Sequence, residues 1–178
     1  LLMCSELERF NRAMPAGTPR LAAGIGLHFG SVVAGLIGSP QKRSYTVIGD
    51  AVNTGSRLEG MTKMLGASIL VSGELLDRLS DPDRFIVRPL GRYLPKGRAQ
   101  PVAVYDLMGE DDGSDLQSGL KAEIAEVRAA FDFFEEGDVE QALAGFEALA
   151  TKTGESKRAD GYRFLIEEIQ ALVDVPLP

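Results

Sequence analysis

The sequence predicts an α+β fold, and three observations carry that prediction. Short β-branched and aromatic runs alternate with amphipathic stretches as far as Leu107. Beyond Leu107 the strand-like runs stop and three helical patterns take over. Most of the 20 glycines lie before residue 107, where tight turns between strands need them. Strands interleaved with helices build a sheet with helices packed on it. An apolar content of 44% with 25% charged residues excludes a chain disordered throughout and a purely fibrous one.

The elements follow from local patterns. Leu2, Leu7, Phe10 and Met14 recur at helical spacing, so a helix is expected over residues 1–14, ending before Pro15 and Gly17. Residues 21–29 and 31–37 are apolar runs split by Gly30, which reads as two strands meeting at a tight hairpin. Residues 39–44 form a polar loop with Lys42 and Arg43, and 45–48 a short strand. Gly49-Asp50 supplies a turn and an N-cap for a helix over 51–64. A strand at 68–71, a helix capped by Ser72 and running to Leu79, and a strand at 84–88 come next. Residues 90–94 and 101–107 flank the turn Pro95-Lys96-Gly97-Arg98 as a terminal hairpin. Helices fit 120–136, 139–151 and 157–173.

Charge divides at the same place. Up to Asp106 the chain carries 13 Lys/Arg and 9 Asp/Glu, net +4, whereas the remainder carries 6 and 17, net −11. The overall −7 therefore describes the tail and says nothing of what the first part binds. One cysteine, Cys4, excludes an internal disulfide and a cysteine zinc cage, and one histidine, His28, leaves too few imidazoles for a His-rich metal site or a Ser-His-Asp triad. No apolar run is long enough to span a bilayer, and no signal peptide opens the chain, which predicts a reducing, cytoplasmic setting. The chain opens Leu-Leu before its first Met, which predicts that an N-terminal part is missing.

The chemistry concentrates in Tyr45-Thr-Val-Ile-Gly-Asp-Ala-Val-Asn-Thr-Gly-Ser-Arg-Leu-Glu59. On a helix, Asn53 and Arg57 share one face, while Ala51, Gly55, Leu58 and Leu65 cluster roughly 120° to 140° away. An Asn can hydrogen-bond a sugar oxygen, and an Arg fork matches phosphate oxygens and stays charged at any working pH. Thr46 can both donate and accept, as reading a purine edge requires, and Lys96 is a turn-borne charge suited to phosphate. Each also has a plainer reading. Asp50 serves as an N-cap, Arg57 pairs with Glu59 or Glu74, Thr46 fills a strand, and Lys96 sits at a hairpin tip.

Three ordered motifs over about 85 residues select between these readings. They are Gly24-Ile-Gly-Leu-His-Phe-Gly-Ser-Val-Val-Ala-Gly-Leu-Ile-Gly38, the 45–59 segment, and Leu94-Pro-Lys-Gly-Arg-Ala-Gln-Pro-Val-Ala-Val-Tyr-Asp106. Together they resemble the class III nucleotidyl cyclase catalytic domain of the bacterial adenylate cyclase type. The resemblance implies a ferredoxin-like sheet, a head-to-tail homodimer with sites at the interface, and conversion of ATP to 3′,5′-cyclic AMP and pyrophosphate. It places Thr46 at the base, with the residue type of adenylate rather than guanylate cyclases. Asn53 falls at the ribose-orienting position, Arg57 at that of the Arg that stabilises the pentavalent phosphorus, and Lys96 at that of the terminal phosphates. His28, in the strand before the glycine hairpin, reads as structural.

The same resemblance implies Mg2+ or Mn2+ held by two aspartates upstream, yet residues 1–49 contain no aspartate, and their only carboxylates are Glu6 and Glu8. Metal ligands are thus absent from this chain, and an N-terminally truncated domain that is inactive alone is expected. The expected organisation is a partial cyclase domain at 1–108, an acidic linker at 109–118 and a helical tail at 119–178. The tail pattern Ala130, Phe134, Gly137-Asp138, Ala142, Phe146 and Leu149 resembles one tetratricopeptide-type α-helical hairpin followed by a further helix. Such a unit must dock on the cyclase part or on a protein partner to bury its face. ATP and a second cyclase subunit are the expected partners, with no nucleic acid and with membrane contact only through a missing upstream region. A noncatalytic, cyclase-like scaffold that binds protein through its acidic tail is the competing reading.

Overall fold

The computed structural model describes residues 1–39, 41–94 and 100–173. Its elements run in the order α1 (Leu2–Ala13), β1 (Ile25–Leu27), β2 (Val33–Ser39), β3 (Lys42–Ile48), α2 (Asp50–Met61), β4 (Ile69–Ser72), α3 (Gly73–Leu76), β5 (Phe85–Tyr93), β6 (Val102–Glu110), α4 (Asp115–Glu135), α5 (Val139–Thr153) and α6 (Lys157–Val173). The fold is α+β, as the alternation of patterns predicts. Four strands form one sheet in the order β1-β4-β6-β5, with β1 and β4 parallel and the other pairings antiparallel. β2 and β3 form a separate two-stranded ribbon.

The expected hairpin about Gly30 is not formed. β1 leaves the ribbon and pairs with β4, whereas β2 pairs with β3 from Val33↔Ile48 to Ser39↔Lys42. The two strands stay paired as far as Ser39↔Lys42, with Gly38 at a φ of 136° that is open to glycine, so most of the polar stretch expected as a loop belongs to the ends of the ribbon. Only three residues of the 21–29 run, Ile25–Leu27, are strand, and Gly24 and Gly26 bring this backbone close against α2 and the Thr62 side chain. Asp50 is the first helical residue of α2 rather than its cap. Gly49 takes the cap position, and no side chain there accepts a capping hydrogen bond. Its carboxylate still lies in the first turn, where the helix dipole favours negative charge.

Three boundaries also differ. The segments expected at 84–88 and 90–94 are one strand, β5, which accommodates Pro89 at the sheet edge with register shifts beside it. Helix α3 ends at Leu76, and Ser72 caps it as expected, its Oγ accepting from the Leu75 amide at 3.3 Å. β6 extends to Glu110, where Arg84 closes an ion pair at 2.9 Å, so only residues 111–114 separate the sheet from α4.

The tail is part of the core. Alternate residues Arg88 and Leu90 of β5 and Val102, Val104 and Asp106 of β6 are buried on one sheet face together with Leu70. Val127 and Ala130 of α4, Phe146 and Leu149 of α5, and Tyr162, Leu165 and Ile169 of α6 close over that face, joined by Leu58 and Leu65 from the α2 side. Phe131 and Phe146 meet edge to face with centroids 5.0 Å apart. Of the two docking surfaces expected for the tail, the cyclase-like part or a protein partner, the sheet is the one its three helices cover.

Charged groups are buried at this junction. Arg88 is fully buried and its Nη2 pairs with Asp106 Oδ2 at 2.9 Å. Its guanidinium carbon lies 5.0 Å from the centre of the Tyr162 ring. The Tyr162 hydroxyl donates to Glu123 Oε1 at 2.6 Å, and Arg158 pairs with the same oxygen at 3.0 Å. Burial pushes the Asp106 carboxyl above its ordinary value, with Arg88 opposing the shift, and burial likewise raises Tyr162.

Candidate nucleotide site on the ribbon and helix α2

The β-ribbon runs directly into α2 through Gly49, which puts Thr46, Asn53 and Arg57 on two adjoining elements. On α2, Thr54 and Leu58 are buried, while Asn53 and Arg57 are exposed one turn apart. Amphipathic spacing predicts that division, and the inner face explains it. A Cβ on Gly26 of β1 would collide with the Gly55 carbonyl and the Glu59 amide, so the bare glycine lets strand and helix backbones approach closely. With one face fixed at backbone distance, the opposite face must point outward.

Thr46 is exposed on β3, and its cross-strand partner is Gly35. A Cβ added at Gly35 would meet nothing within 4 Å, so the face beside the Thr46 hydroxyl is open enough to receive a planar group. Lys96 lies outside the described residues. Three of the four expected site residues therefore sit on exposed surfaces of contiguous elements.

His28 occupies the other kind of environment. Its side chain is buried, with Nδ1 2.8 Å from Ser72 Oγ and 3.9 Å from Glu74 Oε2. It ties the end of β1 to the cap of α3, which suits the structural reading.

The donor set does not fit the metal ions that the resemblance implies. Among the described residues no group of three or more His, Cys, Asp or Glu is placed to hold an ion. Glu6 and Glu8 lie on α1 and are paired with Arg9 at 2.6 Å and Arg12 at 3.2 Å. Exposed monodentate pairs of this kind on one helix do not make the oxygen cage that Mg2+ or Mn2+ requires. Nor is any helix of the described residues long and apolar enough to cross a membrane.

Sequence reasoning missed the buried cluster of Arg88, Asp106, Glu123 and Tyr162. The signal was present in the strand alternation: Ile86, Arg88 and Leu90, and Val102, Val104 and Asp106, occupy equivalent inward positions.

A mixed sheet with helices over one face, and a β-ribbon feeding a helix whose outer face offers an amide and a guanidinium, describe a nucleotidyl cyclase catalytic domain. The family model for the adenylate and guanylate cyclase catalytic domain matches residues 2–109, and the chain belongs to that family. It is 39% identical over 113 residues to an adenylate cyclase of Anabaena cylindrica, covering 60% of this chain and 22% of that protein. It is 41% identical over 105 residues to adenylate cyclase 1 of Rhizobium meliloti, covering 58% of this chain and 16% of that protein. The chain thus spans about a fifth of the length of these relatives.

Among solved structures, a bacterial light-regulated adenylyl cyclase superposes with a TM-score of 0.51 at 30% identity, over 58% of this chain and 29% of the other. The guanylyl cyclase Cya2 superposes with a TM-score of 0.51 at 31% identity, over 64% and 56%. The family match stops at the end of the sheet, and α4–α6 lie beyond it.

Proposed function

We propose that this chain supplies the base, ribose and transition-state half of an adenylate cyclase site that is completed by a second cyclase subunit. The observation that carries the reading is the pairing of Asn53 and Arg57 on the outer face of α2 immediately after the strand holding Thr46, inside the family-matched segment.

In this reading Thr46 hydrogen-bonds the adenine edge and Asn53 fixes the ribose so that its 3′-oxygen faces the α-phosphorus. As that oxygen attacks, the hydroxyl proton leaves, the bond to the β-phosphate bridging oxygen breaks, and pyrophosphate departs. Negative charge grows on the oxygens of the five-coordinate phosphorus, and the Arg57 guanidinium stabilises it more strongly than it does the bound substrate. Lys96 neutralises the terminal phosphates. Mg2+ or Mn2+ would supply Lewis-acid activation in the complete site, and no residue of this chain is assigned to either ion. The partial-domain reading, with 1–108 as catalytic part and the helices after it as an appended tail, belongs to the same proposal.

The exposed ribbon supports a second subunit. Leu36 and Tyr45 face each other across the strands at 67% and 74% exposure, and Val33 and Ile48 are exposed on the opposite face. A two-stranded ribbon apolar on both faces is marginal in water unless something covers it. A second copy presenting the same family surface would do so.

The test is complementation. This chain is mixed with a cyclase subunit that keeps its metal-binding aspartates but lacks its own transition-state Arg, and cyclic AMP is measured. Activity above that of an Arg57→Ala control supports the proposal. Activity equal to the control refutes it and favours the noncatalytic scaffold reading.

A further inference from the structure

The turn that follows α2 is gripped by α6, an element outside the family-matched segment. Gly66 closes the turn after α2 in a left-handed conformation, φ 63°, with the Ala67 amide bonded back to the Thr62 carbonyl at 2.9 Å. A Cβ on Gly66 would overlap the Lys157 carbonyl, and a Cβ on Gly161 would overlap the Leu65 carbonyl. The first turns of α6 and the end of the α2 turn therefore touch backbone to backbone. Alanine is the better helix former at an interior position such as 161, so the glycine there answers to this contact rather than to helix propensity.

The contact is locked on both sides. Tyr162, next to Gly161, is bonded through its hydroxyl to Glu123 of α4 and lies under the Arg88 guanidinium of β5. Arg88 Nη2 in turn reaches the Leu65 carbonyl at 3.5 Å, the same oxygen that Gly161 faces. Backbone atoms cannot rotate away as side chains do, so a displacement of α6 must displace residues 65–66, and with them the end of α2, to which the Leu65 amide is bonded through the Met61 carbonyl at 3.0 Å.

We infer that α6 is a positioning element for the helix bearing Asn53 and Arg57, with Gly161 and Tyr162 as its positioning residues. The inference rests on the cyclase reading for its catalytic consequence, but the mechanical coupling stands apart from it. A misplacement of about 1 Å at a reacting group costs on the order of 10²-fold in rate. Loosening the grip should therefore lower kcat while the ATP contacts that set KM, shared with the second subunit, change little.

The experiment uses the full chain in the complementation mixture, with Gly161→Ala, Tyr162→Phe and, as control, Gly145→Ala. Position 145 faces Ala130 across the α4–α5 contact, where an added Cβ would lie 3.0 Å from the Ala130 Cβ, away from α2. Amide hydrogen exchange is read over residues 50–61 and over β5–β6, alongside kcat and KM. The expected result is faster exchange in α2 with β5–β6 still protected, and a kcat loss approaching ~10²-fold with KM within about threefold, for Gly161→Ala but not for Gly145→Ala. Tyr162→Phe, which keeps the ring and its packing, should shift exchange in the same direction by less and answers the question if Gly161→Ala does not fold. Unchanged α2 exchange in the folded variants, or protection lost equally in α2 and β5–β6, overturns the inference. An inactive unmodified mixture would count against the cyclase reading alone, because the exchange result still decides the coupling.

Discussion

Removing Asp106 should be among the most damaging single changes in the molecule. Arg88 is fully buried, and among the described residues it has, in addition to the 2.9 Å pair with Asp106, only the Leu65 carbonyl at 3.5 Å and the Tyr162 ring. Its Nε and Nη1 have no hydrogen-bond partner among the described residues. Asp106→Ala would strand the cation in the core, and breaking a buried pair in this way costs about 3–5 kcal/mol. Replacing both residues by apolar side chains, Arg88→Met with Asp106→Leu, removes the charge with its partner and should be neutral or stabilise by about 1–4 kcal/mol.

The pair also makes a pH prediction whose sign can be worked out. Burial holds the folded Asp106 carboxyl above its ordinary value, so the folded state favours the protonated form more than the unfolded chain does. The contribution of Asp106 to stability is present below the unfolded pKa, about 3.9, and is lost as pH rises through the folded one. Measured by urea unfolding, the double variant should therefore gain on the parent across that interval and hold a constant difference above it. A cost below about 1 kcal/mol for Asp106→Ala would refute the account of the cluster, as would a difference that shrinks as pH rises.

Three further changes test separate links. Arg57→Ala should raise the barrier in the complemented enzyme by about 2–4 kcal/mol while weakening ATP binding far less, and equal losses in kcat and in affinity would remove the transition-state role. Thr46→Val keeps the shape but deletes the hydroxyl, so preference for ATP over GTP should fall by about fivefold, the worth of one hydrogen bond near 1 kcal/mol; competition between the two nucleotides measures it. Gly26→Ala would drive a methyl into the Gly55 carbonyl at the β1–α2 contact and should cost at least about 1–3 kcal/mol by thermal unfolding, and a neutral result would mean that α2 is not seated on β1 as described.

Much of this architecture is legible along the chain because it rests on local rules. Helices α5 and α6 begin and end near their expected limits, with Gly137 in the turn and Asp138 capping α5 by accepting from the Gln141 amide at 3.1 Å, whereas α4 begins at Asp115, inside the stretch expected as linker. The outward face of α2 is legible for the same reason. What the sequence could not yield is pairing. Glycines at 24, 26, 30, 35 and 38 are compatible with several reversals, and only the three-dimensional demand that Gly26 meet α2 sends β1 to β4 and leaves β2 to β3. Asp50 failed as a cap because Gly49, one residue earlier, already made the turn.

Helix α2 shows how few degrees of freedom remain once these constraints are combined. Its outer face must keep Asn53 and Arg57 for the proposed chemistry, its inner face must stay apolar at Leu58 to sit on β1, and the turn after it must close at Gly66 to clear α6. Gly55→Ala would favour the helix by about 1 kcal/mol on propensity alone. Its Cβ would stand 3.8 Å from the Gly26 carbonyl, an ordinary contact. At Gly161 and Gly66 the same change meets backbone. The glycines that tolerate alanine and those that do not are therefore separated by contact rather than by helix position, and of the intolerant ones Gly66 and Gly161 mark where the family-matched part and α6 meet backbone to backbone.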